Sequence, residues 1–333
     1  MRSASSFVLL LALACGTSET SSTRPSTTLD EPAAREGQSG EVETRDGASP
    51  PPAAWVEARV EESLARMNAS EAGRLVAQSI EAHGGLATWL SKGTIAFEFD
   101  YRPIAQPERR MRTYQRVDLW SARAHHEEIG TLAATPVGGT VVTEDALDSP
   151  VATFGWDGQE AWIVPSAEAF PSTARFWALT PYFFLGMPFV AADPGTHYER
   201  LADAELDGVM HRLVKLTYED GTGDAPDDYY VLYLHPDTHR LTALRYVVSY
   251  PGFFAPGAHS PEKLMRFTEP TTVAGLTLAT RLDTYAWSEA GGPGEKVTEI
   301  GVSRITLGES WPDSIFARPE GAEISALAPA PAQ

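Results

Sequence analysis

Ser260-Pro261-Glu262-Lys263 has the S-x-x-K spacing. A serine and a lysine one helical turn apart can act as nucleophile and base. Here Pro261 and the preceding Gly257-Ala258-His259 predict a loop, and the companion S-D-N and K-T-G motifs are missing. No G-x-S-x-G, P-loop or G-x-G-x-x-G fingerprint occurs either. Oxygen ligands concentrate between Glu219 and Asp228, among Gly221 and Gly223, as calcium prefers. The run lacks the twelfth-position glutamate of an EF-hand loop and reads as a solvated acidic turn. Eight histidines are scattered. His125 and His126 are adjacent, so on a strand they face opposite sides; His235 and His239 flank a turn and can converge. With one cysteine and no H-E-x-x-H, no metal site is expected, and no cofactor. Carboxylates are so plentiful that choosing a catalytic pair would be arbitrary. No catalytic residue is assigned, and the expected protein is not an enzyme. An envelope hydrolase ranks last, since it needs a nucleophile, a base and a donor pair in one cleft.

The other chemistry available is burial. Phe97, Phe99, Trp156, Trp162, Trp177, Phe183, Phe184, Met187 and Phe189 are the candidates to line a hydrophobic pocket. The alternative is ordinary core, where such clusters are common. Five of them lie in Phe176 to Val190, where ten of fifteen residues are large and apolar. A membrane span needs about 20 apolar residues, and Pro181 and Pro188 interrupt this run. Local signals predict two short helices. Ser172 caps the first, which ends near Leu179; Thr180 caps the second, with Pro181 in its first turn, and Gly186 and Pro188 end it. Short helices apolar on every side must be enclosed, as a buried plug or as a lid over a ligand.

The elements that position this segment follow from periodicity. Trp55, Val56, Val60, Leu64 and Met67 are helix-spaced. Asn68-Ala69-Ser70-Glu71 reads as a capping box for a second helix carrying Leu75, Val76 and Ile80, with Gly84 as its C′ residue. Gly85 to Leu90 adds a turn with Trp89 inward. Ile95, Phe97, Phe99 and Tyr101 then alternate with Ala96, Glu98 and Asp100, the pattern of a half-buried strand. Further strands are expected over Met111–Trp120, Ala122–Ile129, the Phe154–Trp162 hairpin, Tyr198–Ala202, Met210–Tyr218, Tyr229–Leu234, Leu241–Tyr250, Met265–Phe267, Leu276–Trp287 and Val297–Leu307. Asp157-Gly158, Asp207-Gly208 and Pro236-Asp237-Thr238 supply turns. The predicted class is mainly β (α+β). A curved antiparallel sheet of about ten strands forms an incomplete β-barrel. N-terminal helices and the central apolar segment fill or cover its concave side. One domain spans 53–320, followed by a loose tail at 321–333.

The chain has 333 residues and a formal charge of −19, with 45 acids against 26 bases. That balance excludes nucleic acid as a partner and argues against docking on anionic lipid through a charged face. Residues 1–14 read as a signal peptide: Arg2, an apolar run from Phe7 to Leu13, and the small-residue site Ala12-Leu13-Ala14. Two readings compete at the cut before Cys15. One is ordinary secretory cleavage. The other is a resemblance to the lipobox of bacterial lipoproteins, from which Ala12 departs, since leucine is usual there. The only cysteine of the chain falls at that bond, which favours the lipobox. The resemblance implies a lipidated Cys15 as membrane anchor and, with Gly16 rather than Asp next, an outer-membrane address. Residues 15–52 are poor in large apolar side chains and end in Ser49-Pro50-Pro51-Pro52, a disordered tether on the order of 30–35 Å in reach.

One order of features is more specific than any single motif. It runs from His83-Gly84-Gly85 followed by Trp89, through the Trp156-Asp157-Gly158 hairpin with Trp162, to the Pro-interrupted aromatic segment. Then come Leu206-Asp207-Gly208-x-x-His211-x-Leu213-Val214, Gly221-x-Gly223-Asp224-x-x-x-Asp228-Tyr229 and Tyr233-x-x-Pro236-Asp237-Thr238. This order, over Ala69 to Pro319, resembles a group of bacterial outer-membrane lipoproteins related to the Lol lipoprotein-localisation carriers. The resemblance implies a half-barrel whose open side is closed by helices over a cavity for acyl chains. The functional expectation is a membrane-anchored envelope lipoprotein that binds a lipid or other hydrophobic ligand. The alternative is an envelope scaffold with a filled core.

Overall fold

Ser70, not Asn68, starts the second helix. In this computed structural model, which describes residues 51–128, 151–170, 172–225 and 227–327, helix α1 covers Ala53–Asn68 and α2 covers Glu71–Ala82. The leader, Cys15 and nearly all of the tether lie outside the described residues. The Ser70 hydroxyl accepts from the Gly73 amide at 3.0 Å, so the cap sits two residues beyond the expected one. The helix ends as predicted at Gly84, whose φ is +115°. The Gly85 amide reaches back to the Ile80 carbonyl at 3.0 Å, satisfying a carbonyl the helix would otherwise leave open. A Cβ on Gly84 would lie 2.3 Å from the Gly275 carbonyl oxygen. The corner between α2 and α3 (Leu86–Lys92) is thus pressed onto a β-turn, and Thr277 donates its amide to the His83 carbonyl at 2.8 Å.

Fifteen strands follow among the described residues rather than about ten. They are β1 (Thr94–Pro103), β2 (Met111–Asp118), β3 (Arg123–Glu128), β4 (Thr153–Trp156), β5 (Ala161–Val164), β6 (Thr196–Leu206), β7 (Val209–Tyr218) and β8 (Tyr230–Leu234). Then come β9 (Leu241–Tyr246), β10 (Lys263–Arg266), β11 (Thr268–Val273), β12 (Leu276–Arg281), β13 (Thr284–Ser288), β14 (Gly292–Leu307) and β15 (Glu323–Ile324). The expected run from Leu276 to Trp287 breaks at Leu282–Asp283 into β12 and β13. β11 is polar and partly exposed, so it carries no alternation to read. Two short helices, α4 (Ala174–Trp177) and α5 (Thr180–Leu185), lie between β5 and β6.

The main path of the sheet is β15-β5-β4-β3-β2-β1-β14-β13-β10-β9-β8-β7-β6, with β12 pairing β11 and β14. The pairings between strands are antiparallel, and the curved sheet does not close. Asp207 and Gly208 take φ of 55° and 77°, the two left-handed positions of a tight hairpin turn. The Asp157 carboxylate accepts from the amides of Gln159 and Glu160 at 2.8 Å each.

Two expectations are corrected. β1 is not half-buried: Glu98 and Asp100 are only 5% and 9% exposed, because Arg112 and Arg110 lie over them and bond their carboxylates. The described start of the predicted loose tail is held: Glu323 and Ile324 pair with Ile163 and Trp162 of β5. Phe316 is fully buried, with the Arg123 guanidinium 4.9 Å from its ring centre.

The large core lies on the concave face, where α1–α3 and the central segment meet the inward residues of the sheet. A smaller cluster, including Leu213, Val231, Tyr233 and Leu264, lies on the other face.

Candidate functional site

Neither predicted cap closes the central helices. The Ser172 hydroxyl instead accepts from the Trp177 indole at 2.9 Å, and the Thr180 hydroxyl donates to the Phe176 carbonyl. These bonds hold the two turns together and aim one side of the segment into the open part of the half-barrel. There a cavity of about 790 Å³ remains between segment and sheet.

Its walls are rich in aromatic side chains. β1 and β2 contribute Phe99, Tyr101 and Met111; α4 and α5 contribute Phe176, Trp177, Phe183 and Phe184; β7 to β9 contribute Tyr218, Tyr230 and Tyr246. Ring pairs bind the wall into one surface: Tyr101 with Trp177 at 4.9 Å, Phe183 with Tyr230 at 4.8 Å and Phe184 with Tyr246 at 5.2 Å. Burial pushes the phenols of Tyr218, Tyr230 and Tyr246 above their ordinary range, so they stay neutral.

Of the nine residues expected at a pocket, Phe99, Trp156, Trp177, Phe183 and Phe184 line this cavity. The other four do not. Phe97 is one pleat deeper, edge to face with Phe99 at 6.4 Å. Trp162 shares the opposite sheet face with His125, and its ring covers Gly155, where a Cβ would meet it at 2.8 Å. Met187 is buried in the core, and Phe189 stacks on Trp89 at 4.7 Å with planes 5° apart. The segment is therefore both plug and wall. Its first half faces the cavity, and its second half is fastened to the N-terminal helices. Ser63 donates its hydroxyl to the Ala192 carbonyl at 3.0 Å, and Arg66 bonds the same oxygen.

The acidic run from Glu219 to Asp228 is only in part the expected solvated turn: Glu219, Asp220 and Asp227 are exposed, whereas Asp224 and Asp228 line the cavity. Asp224 takes both arms of the Arg175 guanidinium, at 2.6 and 2.8 Å, and that guanidinium lies 5.2 Å from the Trp156 ring centre. Asp228 accepts from the amide and hydroxyl of Ser249 at 2.6 and 2.8 Å. Thr222, Gly223 and Ala225 complete this side.

Ser260 and Lys263 both reach the cavity, but Lys263 opens a strand, so they are not one helical turn apart. The Ser260 hydroxyl accepts from the Val248 amide and donates to the Pro261 carbonyl, both at 3.0 Å. His126 donates Nε2–H to the Ala178 carbonyl at 2.7 Å and stacks on Phe154, while His125 faces Trp162. Among the described residues, no three His, Cys, Asp or Glu side chains converge as a metal site.

The sequence reading missed the tyrosines, Phe176, Arg175 and Lys263. In β8 all five residues are buried, because both faces of the sheet are covered there. Nothing in its composition marks Tyr230 as inward and Tyr233 as outward.

No family model matches the chain, and no curated protein does. Solved structures similar to it include a LolA superfamily protein from Nitrosomonas europaea, at 13% identity and a TM-score of 0.45. That match covers 74% of this chain and 97% of the other. A DUF1329 family protein from Desulfovibrio piger matches at 14% identity and a TM-score of 0.42, over 79% of this chain and 97% of the other.

Proposed function

We propose that this chain is a tethered envelope lipoprotein whose half-barrel buries an acyl chain or a similarly apolar ligand. The observation that carries the reading is the cavity of about 790 Å³, walled by aromatic side chains inside an otherwise close-packed core. Its size is within the usual range for small-molecule sites, roughly 300–1,000 Å³. Burial is the mechanism. A chain of about 14–16 carbons offers on the order of 10 kcal/mol by methylene count, before the costs of association. The acidic loop, pinned by Arg175, forms part of the wall that keeps water from that chain.

Uptake of a fluorescent fatty acid, measured on wild type and Phe183→Asp, tests this. Phe183 is half-buried at the cavity face. The substitution should abolish uptake while circular dichroism and cooperative unfolding persist. A wild-type protein that takes up no probe, or a variant that binds as well as wild type, would count against the cavity as the site. The anchor is tested separately. Cys15→Ser should remove metabolic fatty-acid labelling and move the protein from the membrane fraction to the soluble one; labelling that survives the change rules out the lipobox.

A further inference from the structure

Lys263 is the first residue of β10, paired across the sheet with Tyr246 and Ala286. Its alternate neighbour Met265 also lines the cavity, whereas Leu264 belongs to the cluster on the opposite face. The lysine stem therefore rises on the cavity wall. Among the described residues its ammonium has neither an ion pair nor a hydrogen bond. Apolar surroundings hold its pKa below the ordinary lysine range.

The other charges on the wall are engaged or at its edge. Arg175 is held by Asp224, and Asp228 by Ser249. Asp193 is exposed and shared with a smaller depression beside Trp55 and Arg59. Arg109 is exposed and bonds Gln106. A chain with 45 acidic residues has thus left one inward lysine without any of them. An unpaired ammonium on an apolar wall is unfavourable unless something neutralises it.

We propose that Lys263 receives the head of the cavity's ligand, and that the ligand is a single-chain amphiphile with one negative charge; this rests on the cavity reading above. One ammonium balances one charge. A phosphate monoester would bring about −1.5 to −2, and Asp224 and Asp228 on the same wall disfavour the excess. A fatty-acid carboxylate and a phosphodiester of a lysophospholipid share the required charge.

The test uses the full-length chain, delipidated and loaded with a neutral fluorescent apolar probe. Palmitate, methyl palmitate and palmitoyl lysophosphatidylglycerol are titrated as displacers against wild type, Lys263→Met and Lys263→Arg. The expected result is that the methionine variant loses about tenfold or more in affinity for an anionic displacer. The arginine variant should retain most of that affinity, and methyl palmitate should bind all three alike. Whichever anion binds wild type more tightly identifies the source of the head. If wild type holds methyl palmitate as tightly as both anions, and Lys263→Met changes none of them, the head assignment is overturned while the cavity reading stands. If wild type takes up neither the probe nor any of the amphiphiles, both fall. Should the methionine variant not fold, the ester-against-acid comparison on wild type still decides.

Discussion

Phe183 and Phe189 are six positions apart in one apolar run and do different work. Phe183 faces the cavity and touches Tyr230, while Phe189 is sandwiched against Trp89 and His83. Phe189→Ala should cost about 3–5 kcal/mol of stability, read as a lowered denaturant midpoint. Phe183→Ala should cost less stability and more ligand affinity. Equal stability losses with unchanged uptake would place both in the core. This division was not legible in the sequence. Helical periodicity needs several turns to define a face, and α4 and α5 have four and six residues. An apolar residue on every side leaves no polar stripe to mark the outside. What was legible is Gly84: a helix end followed by two glycines requires a left-handed residue. Alanine there should destabilise the fold, since both its φ of +115° and the Gly275 carbonyl oppose a Cβ.

At the scale of elements, the turns were the most readable feature. Asp157-Gly158 and Asp207-Gly208 mark their hairpins because the aspartate carboxylate or the left-handed glycine does the turning locally. β11 was not readable, because its stability comes from pairing with β12 rather than from its own side chains. The acidic loop was legible only in its exposed part for a related reason: composition shows charge density, but not the Arg175 that comes from a segment 49 residues away. The Arg175–Asp224 pair is partly exposed, so Asp224→Ala should change global stability by about 1 kcal/mol or less. Its expected effect is on exchange. Bound fluorescent fatty acid should leave faster, because one wall of the cavity has lost its clamp. An unchanged off-rate would show that the loop is not part of the barrier.

For the whole molecule, one source of pH sensitivity is a buried polar patch on the concave face of β2 and β3, where Thr113, Gln115, His126 and Glu128 meet. Burial lowers the His126 pKa to about 3 and raises the Glu128 carboxyl to about 8. The signs oppose each other. Between the ordinary histidine value of 6.5 and about 3, the unfolded chain binds a proton that folded His126 refuses, so stability falls as pH drops. Between the ordinary glutamate value of 4.5 and about 8, folded Glu128 keeps a proton that the unfolded chain has lost, so stability falls as pH rises. Glu128→Gln should therefore be more stable than wild type near about pH 9, by a few kcal/mol, with the gain shrinking towards about pH 4. Melting curves that stay parallel across this range would remove Glu128 from the account. The open antiparallel sheet itself was legible, because consecutive turn-linked strands can hardly pair otherwise. Whether its interior was filled was not, since a cavity wall and a core have the same composition.

That last question decides the central claim. The protein should be purified without detergent, weighed by native mass spectrometry and then extracted for lipid. The account predicts a reproducible adduct of one amphiphile that is lost on extraction and restored by adding it back. A clean apo mass, together with no uptake of added fatty acid, would contradict it and put the scaffold reading ahead.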